Sequence, residues 1–113
     1  MSSMKSAIAA ISRLYPTSSD VPENRPGEFV RIMRVGGVSA DIVIDKAMLS
    51  VECWANSTQR ADEMADEVYI VLATGEADGI YSASINSKYS SPDPESGQPR
   101  CIMTMQIVSR FDF

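Results

Sequence analysis

The sequence predicts an α+β fold: one mainly antiparallel sheet of about four to five strands with two helices packed against it, in the order helix, strands, helix, hairpin. Two segments far apart in the chain repeat apolar residues at three- and four-residue spacing, the period of a helix with one buried face. The stretches between and after them alternate apolar and polar residues, or are apolar on both faces, as strands do. Proline- and glycine-rich segments separate these runs.

The first helix is expected from about Ser3 to Tyr15. Ala7, Ile8, Ile11, Leu14 and Tyr15 make its apolar stripe, with Lys5, Ser6, Ser12 and Arg13 largely off it. Pro16 ends it, because a proline disfavours the helical conformation of the residue before it. PTSSDVPENRPG follows, a semi-rigid connector too short to be a unit of its own. GEFVRIMRVGG opens the sheet: Phe29, Val30, Ile32, Met33 and Val35 place apolar side chains on both faces, interrupted by Arg31 and Arg34. Such a strand needs cover on both sides, from its own helices or from a neighbouring subunit. Gly36-Gly37 is expected to end it as a turn.

A second strand run covers about Asp41 to Ala55, with a break expected near Asp45-Lys46. Its later half sets Leu49, Val51, Cys53 and Ala55 against Ser50, Glu52 and Trp54, a mostly polar face holding the single tryptophan. Asn56 or Ser57 then caps a second helix running to about Thr74, and Asn56 with Gln59 loosely fits a capping box. Ala61, Met64, Ala65, Val68, Val71 and Leu72 form its buried stripe, and Gly75 is placed to stop it. Asp62, Glu63, Asp66 and Glu67 form the outer face. They read first as a solvated face with acids in the N-terminal half of a helix, since carboxylates without another ligand type or a signature spacing specify no metal. Two last strands are expected at about Gly79 to Lys88 and Arg100 to Arg110, the latter alternating Cys101, Met103, Met105 and Ile107 against Ile102, Thr104, Gln106 and Val108.

The 113 residues suit a single domain spanning 1–113. Ten basic and fifteen acidic residues give a formal charge of −5, which argues against a dedicated nucleic-acid binder, because no counterion-release energy is available to an acidic surface. No apolar run long enough for a bilayer or a secretion signal is evident, so a cytoplasmic origin is expected. Histidine is absent, which removes the commonest general base and any Ser-His or Cys-His pair. Cys53 and Cys101 lie in apolar strand runs and read as small buried hydrophobes; a cross-strand disulfide would be unusual in a reducing compartment.

Between the last two strands lies SSPDPESGQPR, with three prolines and one glycine. Asp93 can accept a turn hydrogen bond, Pro94 pre-sets a turn position, Gly97 offers the left-handed conformation and Pro99 stands where a missing donor is tolerated. A calcium loop fails, for the D-x-D-x-D-G spacing with a later glutamate is missing. The segment is therefore expected to be a pre-shaped contact loop, with Arg100 at its base pairing with Glu95 or with an acid of another subunit.

GEFVRIMRVGG, LSVECWANS and PDPESGQPR with the alternating strand after it resemble the small tail terminator, or tail completion, proteins of long-tailed phages, especially those of actinobacteria. The matching blocks are roughly Glu28 to Gly37, Leu49 to Ser57 and Pro92 to Val108. The resemblance implies a structural role: a ring, commonly of six subunits, that caps the head-proximal end of the tail tube, stops its polymerisation and meets the head connector or stopper. It implies no cofactor and no active site. Its partners would be further copies of itself, the major tail tube protein and the connector, with DNA passing through unbound and no membrane involved; its place would be the neck of a virion assembled in the host cytoplasm. Subunit or partner contact candidates are Arg31, Arg34, Trp54, Asp93, Pro94, Glu95, Gly97 and Arg100, and the methionines offer adaptable surface or plain core filling. Asp62, Glu63, Asp66 and Glu67 are candidates to line the lumen or the outside of the ring. Two other readings stand beside this one: another neck component, such as a head-closure or adaptor subunit, and a small cytosolic domain that binds a metabolite or peptide. The latter lacks a glycine-rich cradle, because Gly36-Gly37 precedes more strand rather than a helix N-terminus.

Overall fold

A computed structural model describes residues 2–23, 26–39, 44–74 and 79–110. The elements are α1 (Ser2–Ile11), β1 (Thr17–Ser18), β2 (Phe29–Ser39), β3 (Ile44–Trp54), α2 (Thr58–Ala73), β4 (Ile80–Ser90) and β5 (Arg100–Arg110). The strands form one sheet in the order β1-β2-β3-β5-β4, antiparallel throughout except for β1, which runs parallel to β2. This is the α+β architecture expected.

Both helices lie on one face of the sheet. Ala7, Ala10, Ile11 and Tyr15 from α1 and the turn after it, and Ala61, Met64, Ala65, Val68 and Leu72 from α2, share one buried cluster with Val30, Ile32, Leu49, Val51, Cys53, Met103, Met105 and Ile107. The strand members alternate along each strand, as a period of two requires. The α2 stripe is the one expected, with Val71 only partly buried; in α1 Ile8 is also only partly buried and Ala10 joins the core. Leu14 departs from its stripe and is 46% exposed. The helix stops at Ile11 and the chain turns, with the amides of Leu14 and Tyr15 both donating to the Ile11 carbonyl, so Leu14 leaves the helical register.

Two strand-boundary expectations fail for physical reasons. Gly36-Gly37 does not end β2, which runs on to Ser39 with a bulge between Arg34 and Gly36. Gly37 has φ +113, and a Cβ there would stand 2.2 Å from the Lys46 carbonyl oxygen, so the glycine serves close strand approach rather than reversal. Nor does β3 break at Asp45-Lys46. Asp45 is fully buried and held by Arg34, while Lys46 points outward, so the charged pair is absorbed without interrupting the ladder. At α2 the cap is Ser57, whose hydroxyl accepts from the Arg60 amide at 3.1 Å; with arginine at the third helical position there is no capping box. Gly75 and the start of the second strand run at Asp41 lie outside the described residues.

The second face of the sheet carries neither helix. Its side chains include Phe29, Arg31, Met33, Ser50, Glu52, Trp54, Arg100 and Ile102. The expected alternation of β3 is present, but the face read as polar is not open: Ser50, Glu52 and Trp54 are 9%, 5% and 2% exposed. Strands on either side of β3 supply long side chains that cover it.

Candidate functional site

Three groups of side chains gather the candidate residues. The first lies on the second sheet face, where Arg31 of β2 stands opposite Glu52 of β3 and Arg100 of β5 opposite Trp54, diagonal to Glu52. Trp54 stacks on Phe29, with ring centroids 5.0 Å apart, and the Arg100 guanidinium lies over the indole at 5.2 Å. Glu52 accepts from the Trp54 indole N–H at 3.2 Å and stands 3.5 Å from Arg31 and 3.8 Å from Arg100. Arg100 also donates to the Ser91 carbonyl at 2.8 Å, anchoring the base of the loop before it. A carboxylate buried between two guanidiniums and an indole is a closed arrangement, with its acceptor positions spent inside the chain. Arg100 thus pairs with Glu52, not with Glu95, and Trp54 is a buried anchor rather than exposed contact surface. Arg34 stands apart, bidentate on Asp45 at 2.9 and 3.1 Å.

The second group is the acidic face of α2. Asp62 and Asp66 both hold Lys88 of β4, at 3.0 and 2.6 Å. The Asp66 bond foremost, with Asp62 adding to it, raises the Lys88 pKa despite partial burial. Glu63 and Glu67 lie 3.6 and 3.3 Å from Arg60, which also donates to Glu28 at 2.6 Å and to the Tyr15 hydroxyl at 2.7 Å. Tyr15 in turn donates to Glu67. The Arg60 hydrogen bond holds Glu28 below its ordinary pKa. Burial first, and the Glu67 carboxylate second, push Tyr15 up to about 12. The acids begin one turn into the helix, with none in its first turn, so these ion pairs rather than the helix dipole account for them. All four nonetheless keep an outward side, at 59%, 53%, 62% and 43% exposure in chain order.

The third group is the connection from Ser91 to Pro99. Asp93 organises it: its carbonyl accepts from the Gly97 amide at 2.8 Å, its amide donates to Gln98, and its carboxylate accepts from the Ser96 amide and hydroxyl. Gly97 has φ +73, the left-handed conformation expected of it. Pro94 and Glu95 are exposed at the tip. The Asp93 carboxylate is therefore a turn-former, as expected of it.

Cys53 and Cys101 face each other directly across β3 and β5 as free, buried thiols. Ala55 donates to the Pro99 carbonyl, so by alternation Cys53 and Cys101 occupy a hydrogen-bonded position, where the Cβ atoms are at the wider spacing. Burial raises the pKa of both thiols, which makes them inert. Of the methionines, Met64, Met103 and Met105 fill the core, while Met33 and Met48 are half-buried on the second face. A surface cleft of about 480 Å³ lies between α2 and the end of β4, lined by Thr58, Gln59, Asp62, Lys88, Tyr89, Ser90 and Cys101. Among the described residues no three His, Cys, Asp or Glu side chains are grouped to hold a metal, and no helix is long and apolar enough to cross a membrane.

Glu52, Arg60 and Lys88 organise these groups, and none of them is among the residues singled out from the sequence. Arg60 was legible in part, since it precedes Glu63 and Glu67 at three- and seven-residue spacing on one helix face. Glu52 had one signal, a lone acid in an apolar run. Lys88 had none, because its partners are on a helix more than twenty residues away.

No family model matches the chain, and no curated protein does. Among solved structures, the chain is similar to a chain from the virion of a native gene transfer agent particle, with a TM-score of 0.62 over 92% of this chain and 84% of that one. The likeness is one of fold. At 11% sequence identity, the match carries over no set of side chains.

Proposed function

We propose that this chain is a structural subunit of a phage-type virion, in the role of a tail terminator: it forms a ring that caps the head-proximal end of the tail tube, stops tube growth and offers the surface that meets the head connector. The observation that carries this reading is the likeness of nearly the whole chain to a virion chain, a match of architecture from end to end rather than of one motif. Its charged groups agree with it in kind. They are paired within the chain and fix elements to one another, as Arg60 ties α2 to Glu28 and Tyr15. The exposed loop tip at Pro94 and Glu95 is the contact loop of the ring, shaped by Asp93 and Gly97. DNA passes through the ring without being bound, and the acids of α2 line its lumen, where they repel phosphates.

The test is assembly. Purified protein is expected to be a monomer or a ring, with rings appearing at raised concentration or with tail-tube protein, followed by light scattering and electron microscopy. Rings seated on tube ends would support the terminator role, and rings seated only on head connectors would instead indicate another neck component. A strictly monomeric protein that binds a nucleotide or other metabolite at micromolar concentration would sink the proposal.

A further inference from the structure

We infer that β4 is a strand-addition edge that receives the uncovered stretch of β2 from a second copy of this chain, joining subunits head to tail through a continuous sheet. The inference rests on the ring proposed above and names the surfaces that close it.

The sheet has two open edges. β4 is the outermost strand on one side. On the other, β1 pairs only with Val30 and Arg31, so among the described residues no strand covers Ile32 to Ser39 of β2 on that side. An uncovered edge presents a row of unpaired backbone donors and acceptors, and natural edges are blunted by proline, outward charge or bulges. β4 lacks the first two: it holds no proline, and its one charged side chain, Lys88, is turned onto Asp62 and Asp66 of α2. Bulges at its Tyr81 and Asn86 positions leave regular stretches of Ser82–Ile85 and Ser87–Ser90, and the bulge at Val35 leaves Gly36–Ser39 on β2.

Apolar exposure points the same way. Six large apolar side chains are exposed among the described residues, and four of them sit on these two strands: Tyr81, Ile85 and Tyr89 on β4 and Val35 on β2. The arginines of β2 are committed within the chain, Arg31 to Glu52 and Arg34 to Asp45, so the match is one of open backbone and apolar side chains rather than of charge. Two different surfaces on opposite sides of one molecule make a heterologous contact that propagates in one direction and closes when the rotation allows.

The ladder supplies a clean test. The Ser91 amide donates to the Arg100 carbonyl at 2.9 Å, and bonded positions alternate, so Ser87 and Tyr89 face β5 while the amides of Lys88 and Ser90 face the open edge. Ser90→Pro therefore removes an outward donor without touching the β4–β5 ladder. It should raise the concentration needed for ring formation about tenfold, the effect of one lost interfacial hydrogen bond, with circular dichroism and melting unchanged. In parallel, the double variant Val35→Cys/Ser84→Cys treated with a short bismaleimide should give a ladder of dimers, trimers and higher species. Wild type, with both native thiols buried, should give none. Rings that form while Ser90→Pro assembles like wild type and the double variant gives no ladder would overturn this inference and leave the ring standing. Cross-linking of Ser84→Cys alone into dimers and nothing larger would mean symmetric β4–β4 pairing, which also overturns it. A chain that stays monomeric with and without tube protein removes both the ring and the edge.

Discussion

Glu52 is the side chain on which the second sheet face depends. It is 5% exposed, accepts from the Trp54 indole and stands against two guanidiniums. Removing it takes the Glu52 acceptor from the indole N–H and the carboxylate from between Arg31 and Arg100, and Glu52→Ala should cost about 2 kcal/mol, measured by urea titration. Glu52→Gln should cost less, since its amide oxygen still accepts. A second residue-scale prediction concerns alkaline pH. The Tyr15 pKa is raised from 10.0 to about 12, so the unfolded state loses this proton first. The stabilisation is complete below pH 10 and is lost as pH rises through about 12. Lys88, also raised, acts in the same direction: its contribution is present below its unfolded pKa of 10.5 and is lost above it. Stability should therefore fall steeply above pH 10, and Tyr15→Phe should flatten that fall while the Lys88 part remains. Equal slopes in wild type and Tyr15→Phe would show that burial and the Glu67 contact do not hold the phenol in its protonated form.

Elements decide what each glycine is for, and two of them behave oppositely. Gly37 is pressed against β3, with no room for a Cβ. Gly37→Ala must shift the backbone of β2 against Lys46 and should be severely destabilising, by several kcal/mol on melting or denaturant titration. Gly97 has nothing within 4 Å of a Cβ, so Gly97→Ala meets only the left-handed penalty, about 1 kcal/mol. Combined with Pro94→Ala it should leave the fold intact by circular dichroism yet weaken complementation of a terminator-deficient phage, giving overlong or headless tails. Full complementation by that pair, with loss of function in Asp93→Asn and Glu95→Gln, would make the loop a polar site instead. This contrast also marks how far the sequence could be read. Helical stripes, strand alternation and the Asp93–Gly97 turn were legible because each is set by residues close in the chain. The continuation of β2 through Gly36-Gly37, the burial of Trp54 and the pairing of Arg100 were not. Each depends on a strand that arrives from elsewhere, and no local pattern announces which strand that is. The two strand-boundary errors share this cause: glycines and charges that read as breaks were answered by partners across the sheet.

At the scale of the whole molecule, the acids of α2 would bear on how the proposed ring treats DNA. Replacing Asp62, Glu63, Asp66 and Glu67 together with lysine would be the blunt test, but the geometry argues against its leaving the fold intact. New lysines would stand against Lys88 and Arg60, and Glu67 would no longer accept from Tyr15. A sharper variant is Asp62→Asn with Glu63→Gln. It removes two outward charges while Asp66 keeps Lys88 at 2.6 Å and Glu28 and Glu67 keep Arg60. If α2 lines the lumen, a ring of such subunits loses two negative charges per copy where DNA passes. Retention on DNA should then rise and fall again with added salt, since the effect is one of screened repulsion. Infectivity should drop while ring formation and melting stay near wild type. Normal infectivity with unchanged DNA retention would place α2 on the outside of the ring, where the same charges face solvent and serve solubility.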